Sequence, residues 1–274
     1  MLISVADQWW SPFRKVGAAE VLHVELMPHS ENETAASTLL SHGEHRRADR
    51  FLYPGPRRRY ILLRAALRSL LCDRLGCNND ALSFKREKQG KPYAVVNGTP
   101  ASIQFNVSDS GMHGLIAIAP AGSVGIDVEE RSVNRDLDGL SEMVFDAEEQ
   151  ASVTAAVGEE KVERFYRLWT AKEALVKALG TGLYLDVSTF QAPLELLRGS
   201  AGAEFRFPHL PEVAWWVEDL GTREFAAALA HEMTKGTYAA VPGGEHKRNA
   251  VEPIIADSAD SHRKNAMGRQ HSYG

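Results

Sequence analysis

Two cysteines, Cys72 and Cys77, are all that the 274 residues contain. So few thiols exclude a disulfide-stapled scaffold and fit a reduced compartment. No cysteine and histidine side chains recur at zinc-ligand spacing, which excludes a structural zinc module. No apolar run reaches the roughly 18 residues that a membrane-spanning helix needs. The stretch Met1-Leu2-Ile3-Ser4-Val5-Ala6-Asp7 lacks the basic start and long apolar core of a secretory signal, so a cytoplasmic protein with no membrane partner is expected. Excess positive charge is also missing. A net charge of −5 argues against a general nucleic-acid binder.

What is present is an apolar content of 44%, enough for a substantial core. The strongest single segment is Phe165-Tyr166-Arg167-Leu168-Trp169-Thr170-Ala171-Lys172-Glu173-Ala174-Leu175-Val176-Lys177-Ala178-Leu179, closed by Gly180 and Gly182. Leu168, Ala171, Leu175, Ala178 and Leu179 recur at helical spacing, and no proline interrupts them. Four-residue spacing puts Trp169, Glu173 and Lys177 on one face, so a carboxylate and an ammonium project together beside the apolar stripe. A plain surface Glu–Lys pair is the alternative reading of the same spacing.

A second stretch, Val124-Gly125-Ile126-Asp127-Val128-Glu129-Glu130-Arg131, alternates apolar and acidic residues. Period-two alternation predicts a strand with Asp127 and Glu129 on one side. Adjacent carboxylates repel unless a cation lies between them, and hard oxygen donors suit Mg²⁺. Asp127, Glu129 and Glu173 then form an expected three-carboxylate metal site linking strand to helix. An acidic strand exit solvated at a loop is the competing explanation.

Eight arginines lie between residues 46 and 68 (Arg46, Arg47, Arg50, Arg57, Arg58, Arg59, Arg64 and Arg68) against one acid, Asp49. Guanidinium forks match phosphate oxygens, so a polyanion such as a polyphosphate is the expected ligand. About half of these arginines read instead as solvated helix surface flanking Tyr60-Ile61-Leu62-Leu63. The segment Ser108-Asp109-Ser110-Gly111 reads as a loop between two strands, with backbone N–H groups for a phosphate. Asp146-Ala147-Glu148-Glu149 reads as the first turn of a helix and carries no catalytic expectation.

The expected fold is α+β, with two pseudo-twofold related α/β subdomains, each a long helix packed on a small antiparallel sheet. Residues 1–122 make the basic first subdomain, 123–235 the second with the acidic strand and central helix, and 243–274 a disordered tail. A cleft between the halves is the expected ligand site.

Gly90-Lys91-Pro92, Phe105-Asn106-Val107-Ser108, Gly125-Ile126-Asp127-Val128-Glu129 and Trp169-Thr170-Ala171-Lys172-Glu173-Ala174-Leu175-Val176-Lys177 occur in that order. In these motifs, spanning about residues 46 to 190, the sequence resembles the 4'-phosphopantetheinyl transferases of the surfactin-synthetase-activating (Sfp) type. The resemblance implies a Mg²⁺-dependent monomer that moves the phosphopantetheine arm of coenzyme A to a serine of an apo acyl or peptidyl carrier protein, releasing adenosine 3',5'-bisphosphate. It implies Asp127, Glu129 and Glu173 as Mg²⁺ ligands, with Glu173 also helping to deprotonate the serine. It implies Lys177 at the pyrophosphate, with Lys172 as a helper. Lys91, Ser108, Arg59 and, more loosely, Arg47 fall where the family binds nucleotide and phosphates. Asp109 stands where the family usually has histidine, and an aspartate there repels phosphate unless it is turned away, bridged by a cation or offset by the arginines. A non-catalytic homologue that binds coenzyme A or a carrier protein is the alternative, and Asp109 is its support.

Overall fold

The computed structural model describes residues 9–180 and 185–233. The expected tail at 243–274 and the helix-stopping Gly182 lie outside the described residues.

The first half opens with a hairpin, β1 (Trp10–Val16) and β2 (Ala19–Glu25), followed by helices α1 (Ser30–Leu39), α2 (His42–Ala48) and α3 (Pro54–Leu75). A small antiparallel sheet follows, made of β3 (Leu82–Arg86), β4 (Pro92–Val96) and β5 (Thr99–Pro100). Strands β6 (Gln104–Ser110) and β7 (His113–Ala119) complete the main sheet, which is antiparallel in the order β1-β2-β7-β6. The second half holds β8 (Val124–Glu130), α4 (Leu137–Val144), α5 (Ala147–Ala155), α6 (Gly158–Leu179), α7 (Leu194–Leu197), β9 (Gly202–Phe207), β10 (Leu210–Asp219) and β11 (Phe225–Glu232). Its four strands form an antiparallel sheet in the order β8-β11-β10-β9.

The two halves therefore repeat one plan: a four-stranded antiparallel sheet carrying a helix of 22 residues, α3 in one and α6 in the other. Each helix ends at a glycine in the left-handed region, Gly76 (φ 60°) and Gly180 (φ 79°), whose N–H satisfies a last-turn carbonyl. Helix α3 begins at a proline, whose missing N–H costs nothing in a first turn.

Strand periodicity divides the apolar side chains among three cores. Along β7, Ile116 and Ile118 face the core under α3, whereas Leu115, Ala117 and Ala119 face the opposite way. Along β11, Ala226, Ala228 and Ala230 face α6, whereas Phe225, Ala227 and Leu229 face the other way. These second sets meet in a core between the two sheets, joined by Val124, Ile126 and Val128 of β8. The layers run helix, sheet, sheet, helix.

Strand β1 goes beyond the sequence reading, which placed only a lead-in before β2. Its edge position explains the omission: Pro12 lies at a register shift, and most of the strand's side chains are exposed, so no alternation marks it. The region from Asp136 to Ala156 resolves into two helices, and Asp146 caps the second through a reciprocal box with Glu149. Ser108, Asp109 and Ser110, expected in a loop, belong to β6, and the turn begins at Gly111.

Close packing of α6 on β8 sets the geometry of everything that follows. A Cβ on Gly125 would lie 2.2 Å from Ala174 O and 2.3 Å from Ala178 N, both backbone atoms of α6. Neither can yield without moving the helix. Gly125→Ala is expected to cost about 3 kcal/mol or more in urea denaturation; a loss below about 1 kcal/mol would show that helix and strand are not locked together here.

Candidate active site

Strand β8 turns Ile126 and Val128 into the core between the sheets, which leaves Asp127 and Glu129 on the opposite face, toward α6. Asp127 is 1% exposed. Its Oδ1 lies 2.7 Å from Lys177 Nζ and accepts from Ser108 Oγ at 3.0 Å. Lys177 Nζ also donates to Ser108 Oγ at 3.0 Å and to the Ile126 carbonyl at 3.1 Å. All three ammonium protons thus have oxygen partners, and the charge is matched by a carboxylate in a nearly dry setting.

Glu129 sits two residues along the same face and accepts from Ser110 Oγ at 2.9 Å. Burial pushes its carboxyl up to about 7, and the neighbouring Asp127 charge adds to the rise, against the Ser110 hydrogen bond, Arg135 and Lys177. Glu173 is buried on α6 one turn before Lys177. Among the described residues, no three His, Cys, Asp or Glu side chains converge closely enough to hold a metal ion. The expected three-carboxylate cage is therefore not preformed: Asp127 and Glu129 come together, and Asp127 is turned to Lys177 and Ser108.

The pair nonetheless fits a divalent cation of the Mg²⁺ type. Two hard carboxylates lie side by side, and burial, with the neighbouring Asp127 charge adding to it, raises the Glu129 carboxyl. Mg²⁺ characteristically takes one or two carboxylates and fills its remaining positions with water and phosphate oxygens.

The phosphate-binding expectations separate in space. Ser108 is 1% exposed and its hydroxyl is fully engaged with Asp127, Lys177 and the Val128 N–H, so it braces Asp127 and offers no open face to a ligand. Lys172 does not reach the site at all. It is buried in a pair with Glu149, donates to the Val144 carbonyl, and lies between the rings of Phe145 and Phe190. The helical turn that aims Lys177 at β8 aims Lys172 at α5 instead.

Arg59 is paired at 2.7 Å with Asp109, which offsets the aspartate's charge with an arginine, one of the three outcomes anticipated from the sequence. Lys91 donates to the Ala178 carbonyl at 3.0 Å, at the C-terminal end of α6, where a cation is favoured by the helix dipole. Burial lowers its ammonium to about 8 against the pull of Glu87 and Glu232. Arg47 lies over the Tyr60 ring and joins Arg46, Arg50, Gly43 and Phe51 around a shallow concavity of about 400 Å³. Arg64 and Arg68, among the arginines offered to a polyanion or to solvent, are instead buried against Glu44, with Arg68 also bonded to Asn79.

Sequence reasoning missed Asn106, Ser110, Glu130 and Glu149. The available signal was a strand, β6, whose alternate residues Asn106, Ser108 and Ser110 are polar where a core strand would be apolar.

The chain is similar to known proteins along both halves. The profile of the 4'-phosphopantetheinyl transferase superfamily matches residues 123–230, and that of the 4'-phosphopantetheinyl transferase N-terminal family matches residues 25–121. The chain is 35% identical over 156 residues to the 4'-phosphopantetheinyl transferase HetI of Nostoc, covering 57% of this chain and 65% of that protein. It is 33% identical over 150 residues to the 4'-phosphopantetheinyl transferase psf-1 of Bacillus pumilus, covering 54% of this chain and 60% of that protein. It is 27% identical over 169 residues to the 4'-phosphopantetheinyl transferase ffp of Bacillus subtilis, covering 61% of this chain and 72% of that protein. The matched part is thus less than two thirds of the length of the first two. No helix among the described residues is long and apolar enough to cross a membrane.

Two outcomes follow from the charges. Glu129 ionises near 4.5 when unfolded and near 7 when folded, so the stability it contributes is complete below about 4.5 and is lost as pH rises through about 7. Glu129→Gln should therefore stabilise the protein by about 1–2 kcal/mol at pH 8 and not at pH 4, read by urea unfolding in EDTA; equal gains at both pH values would refute the assignment. Lys172→Met strands Glu149 in the core and should cost about 3–5 kcal/mol, with Lys172→Met/Glu149→Gln recovering part of the loss. A Lys172→Met protein of unchanged stability would show that the pair does not hold α5 to α6.

Proposed function

We propose, from the premise that the chain belongs to the 4'-phosphopantetheinyl transferase superfamily, that it transfers the phosphopantetheine arm of coenzyme A to a serine of an apo carrier protein. Adenosine 3',5'-bisphosphate is released. The observation that carries this reading is the cluster of Asp127, Glu129, Ser108 and Lys177 where β6, β8 and α6 meet. Such a cluster suits a reaction in which a pyrophosphate is cleaved and negative charge grows on the leaving group.

Asp127 and Glu129 would hold Mg²⁺, with Glu173 as a third donor from α6. When bound, the ion supplies Lewis-acid stabilisation of the phosphoryl oxygens. Lys177 brings a positive charge to the same place, held ready by Asp127 Oδ1, Ser108 Oγ and the Ile126 carbonyl. The serine proton leaves toward a carboxylate of the site, and Glu173 is the candidate to accept it. Arg59, Arg47 and Lys91 provide the positive charge for the nucleotide phosphates, with Asp109 fixing the Arg59 guanidinium. No covalent enzyme intermediate is needed, since positioning and charge compensation carry this class of transfer. The enzyme acts as a cytoplasmic monomer, its two halves supplying both walls of the site. Asp109, the residue on which the non-catalytic alternative rests, has its charge offset by Arg59, which supports the catalytic reading.

Intact mass of an apo carrier protein, after incubation with this protein, coenzyme A and Mg²⁺, tests the reading. A gain of one phosphopantetheine arm is expected, abolished by EDTA and reduced by about 100-fold or more in rate by Asp127→Ala or Glu173→Ala. Coenzyme A binding without any modification of several carrier proteins would refute it.

A further inference from the structure

We propose that Ser110 is a positioning residue for Glu129, and that β6 and β8 are joined by a ladder of side-chain acceptors that aims the carboxylates of β8. The proposal rests on the reading of Asp127 and Glu129 as cation ligands. Asn106, Ser108 and Ser110 alternate along β6 and so share one face. Each receives a backbone N–H from β8: Asn106 Oδ1 from Ile126 at 3.0 Å, Ser108 Oγ from Val128 at 3.4 Å, and Ser110 Oγ from Glu130 at 3.1 Å.

A serine hydroxyl ordinarily rotates to suit its surroundings. Here the incoming N–H engages the oxygen from one side and leaves the proton to point elsewhere. At Ser108 it points to Asp127, and at Ser110 to Glu129. The two are not equivalent. Asp127 is also held by Lys177, whereas Ser110 is the one hydrogen-bond donor to the Glu129 carboxylate among the described residues.

The turn after Ser110 is anchored from the same strand. Glu130 Oε1 accepts from the Met112 N–H at 2.6 Å, and its carboxylate fills the space above Gly111, where a Cβ would come within 1.8 Å of it. Gly111 has φ 54°, so only glycine meets both demands easily. Ser110 is therefore fixed in backbone as well as side chain. Without its hydroxyl, Glu129 would be left to swing away from Asp127, since like charges repel most strongly where water is scarce.

The test uses Ser110→Ala and Ser110→Thr in the whole protein, with Mn²⁺ as the probe. Free Mn²⁺ is measured by electron paramagnetic resonance in the presence of coenzyme A. Loss of a hydrogen bond behind a metal ligand typically weakens the metal by 10-fold or more, so Ser110→Ala is expected to raise the Mn²⁺ dissociation constant about 10-fold. Ser110→Thr, which keeps the hydroxyl, should stay within about threefold of wild type. In turnover, the half-saturating Mg²⁺ concentration should rise more than kcat falls, and urea midpoints of both variants identify any general loss of fold. Ser110→Ala with wild-type Mn²⁺ affinity would overturn the role of Ser110 alone, as would Ser110→Thr binding as poorly as Ser110→Ala. A wild-type chain that takes up no Mn²⁺ would overturn the cation-site reading with it.

Discussion

The structure depends on how two edge strands from different halves satisfy one another. Strand β8 closes one edge of the second sheet, and its outward N–H groups face β6, the edge of the first. Buried backbone donors must be paired. A direct ladder would merge the two sheets, but here the partners of Ile126, Val128 and Glu130 are the side chains of Asn106, Ser108 and Ser110. A side chain set between strands holds them farther apart than a peptide hydrogen bond would, and it brings extra hydrogen-bonding capacity. That spare capacity is what reaches Asp127 and Glu129.

The same strand serves the other half. Because side chains alternate, Asp109 lies on the face opposite Ser108 and Ser110, where it meets Arg59 of α3. The tripeptide Ser-Asp-Ser thus sends two hydroxyls to the second half and one carboxylate to the helix of the first. A site assembled across a duplicated fold needs such a divider, and β6 supplies it.

Much of this was legible in sequence, and what was not has a physical cause. Helix α6 announced itself through the spacing of Leu168, Ala171, Leu175 and Ala178 and its glycine stop, and the shared face of Asp127 and Glu129 followed from alternation alone. These are local facts set by backbone period. Ser108-Asp109-Ser110 read as a loop because small polar residues usually mark turns, and only the burial of Ser108 beneath Lys177 shows why a strand tolerates them. Lys172 is placed beside Lys177 as a helper by the family resemblance alone. Its partner Glu149 lies 23 residues earlier, in a first turn whose acids the helix dipole already explained. Arg64 and Arg68 were likewise indistinguishable from their exposed neighbours until Glu44 was placed beside them. Local pattern fixes the face of an element, whereas tertiary contact decides whether a charge on that face is a ligand, a brace or a core pair.

The charge balance of the site restricts what it can accept. Lys177 is matched by Asp127 and Arg59 by Asp109, whereas no ion pair to Glu129 occurs among the described residues, and burial, with the Asp127 charge beside it, pushes its carboxyl up to about 7. A phosphate ester arriving alone would meet two cations already committed to carboxylates. A divalent cation arriving alone would find Glu129 still partly protonated near neutral pH. Bound together, each would remove the obstacle to the other: Asp127 and Glu129 would hold the cation, whose charge would favour the ionised Glu129 carboxylate, and Lys177 would meet the phosphate. Under the proposed reaction, binding of nucleotide and of Mg²⁺ would therefore be coupled, with Glu129 and Lys177 as the residues through which each favours the other.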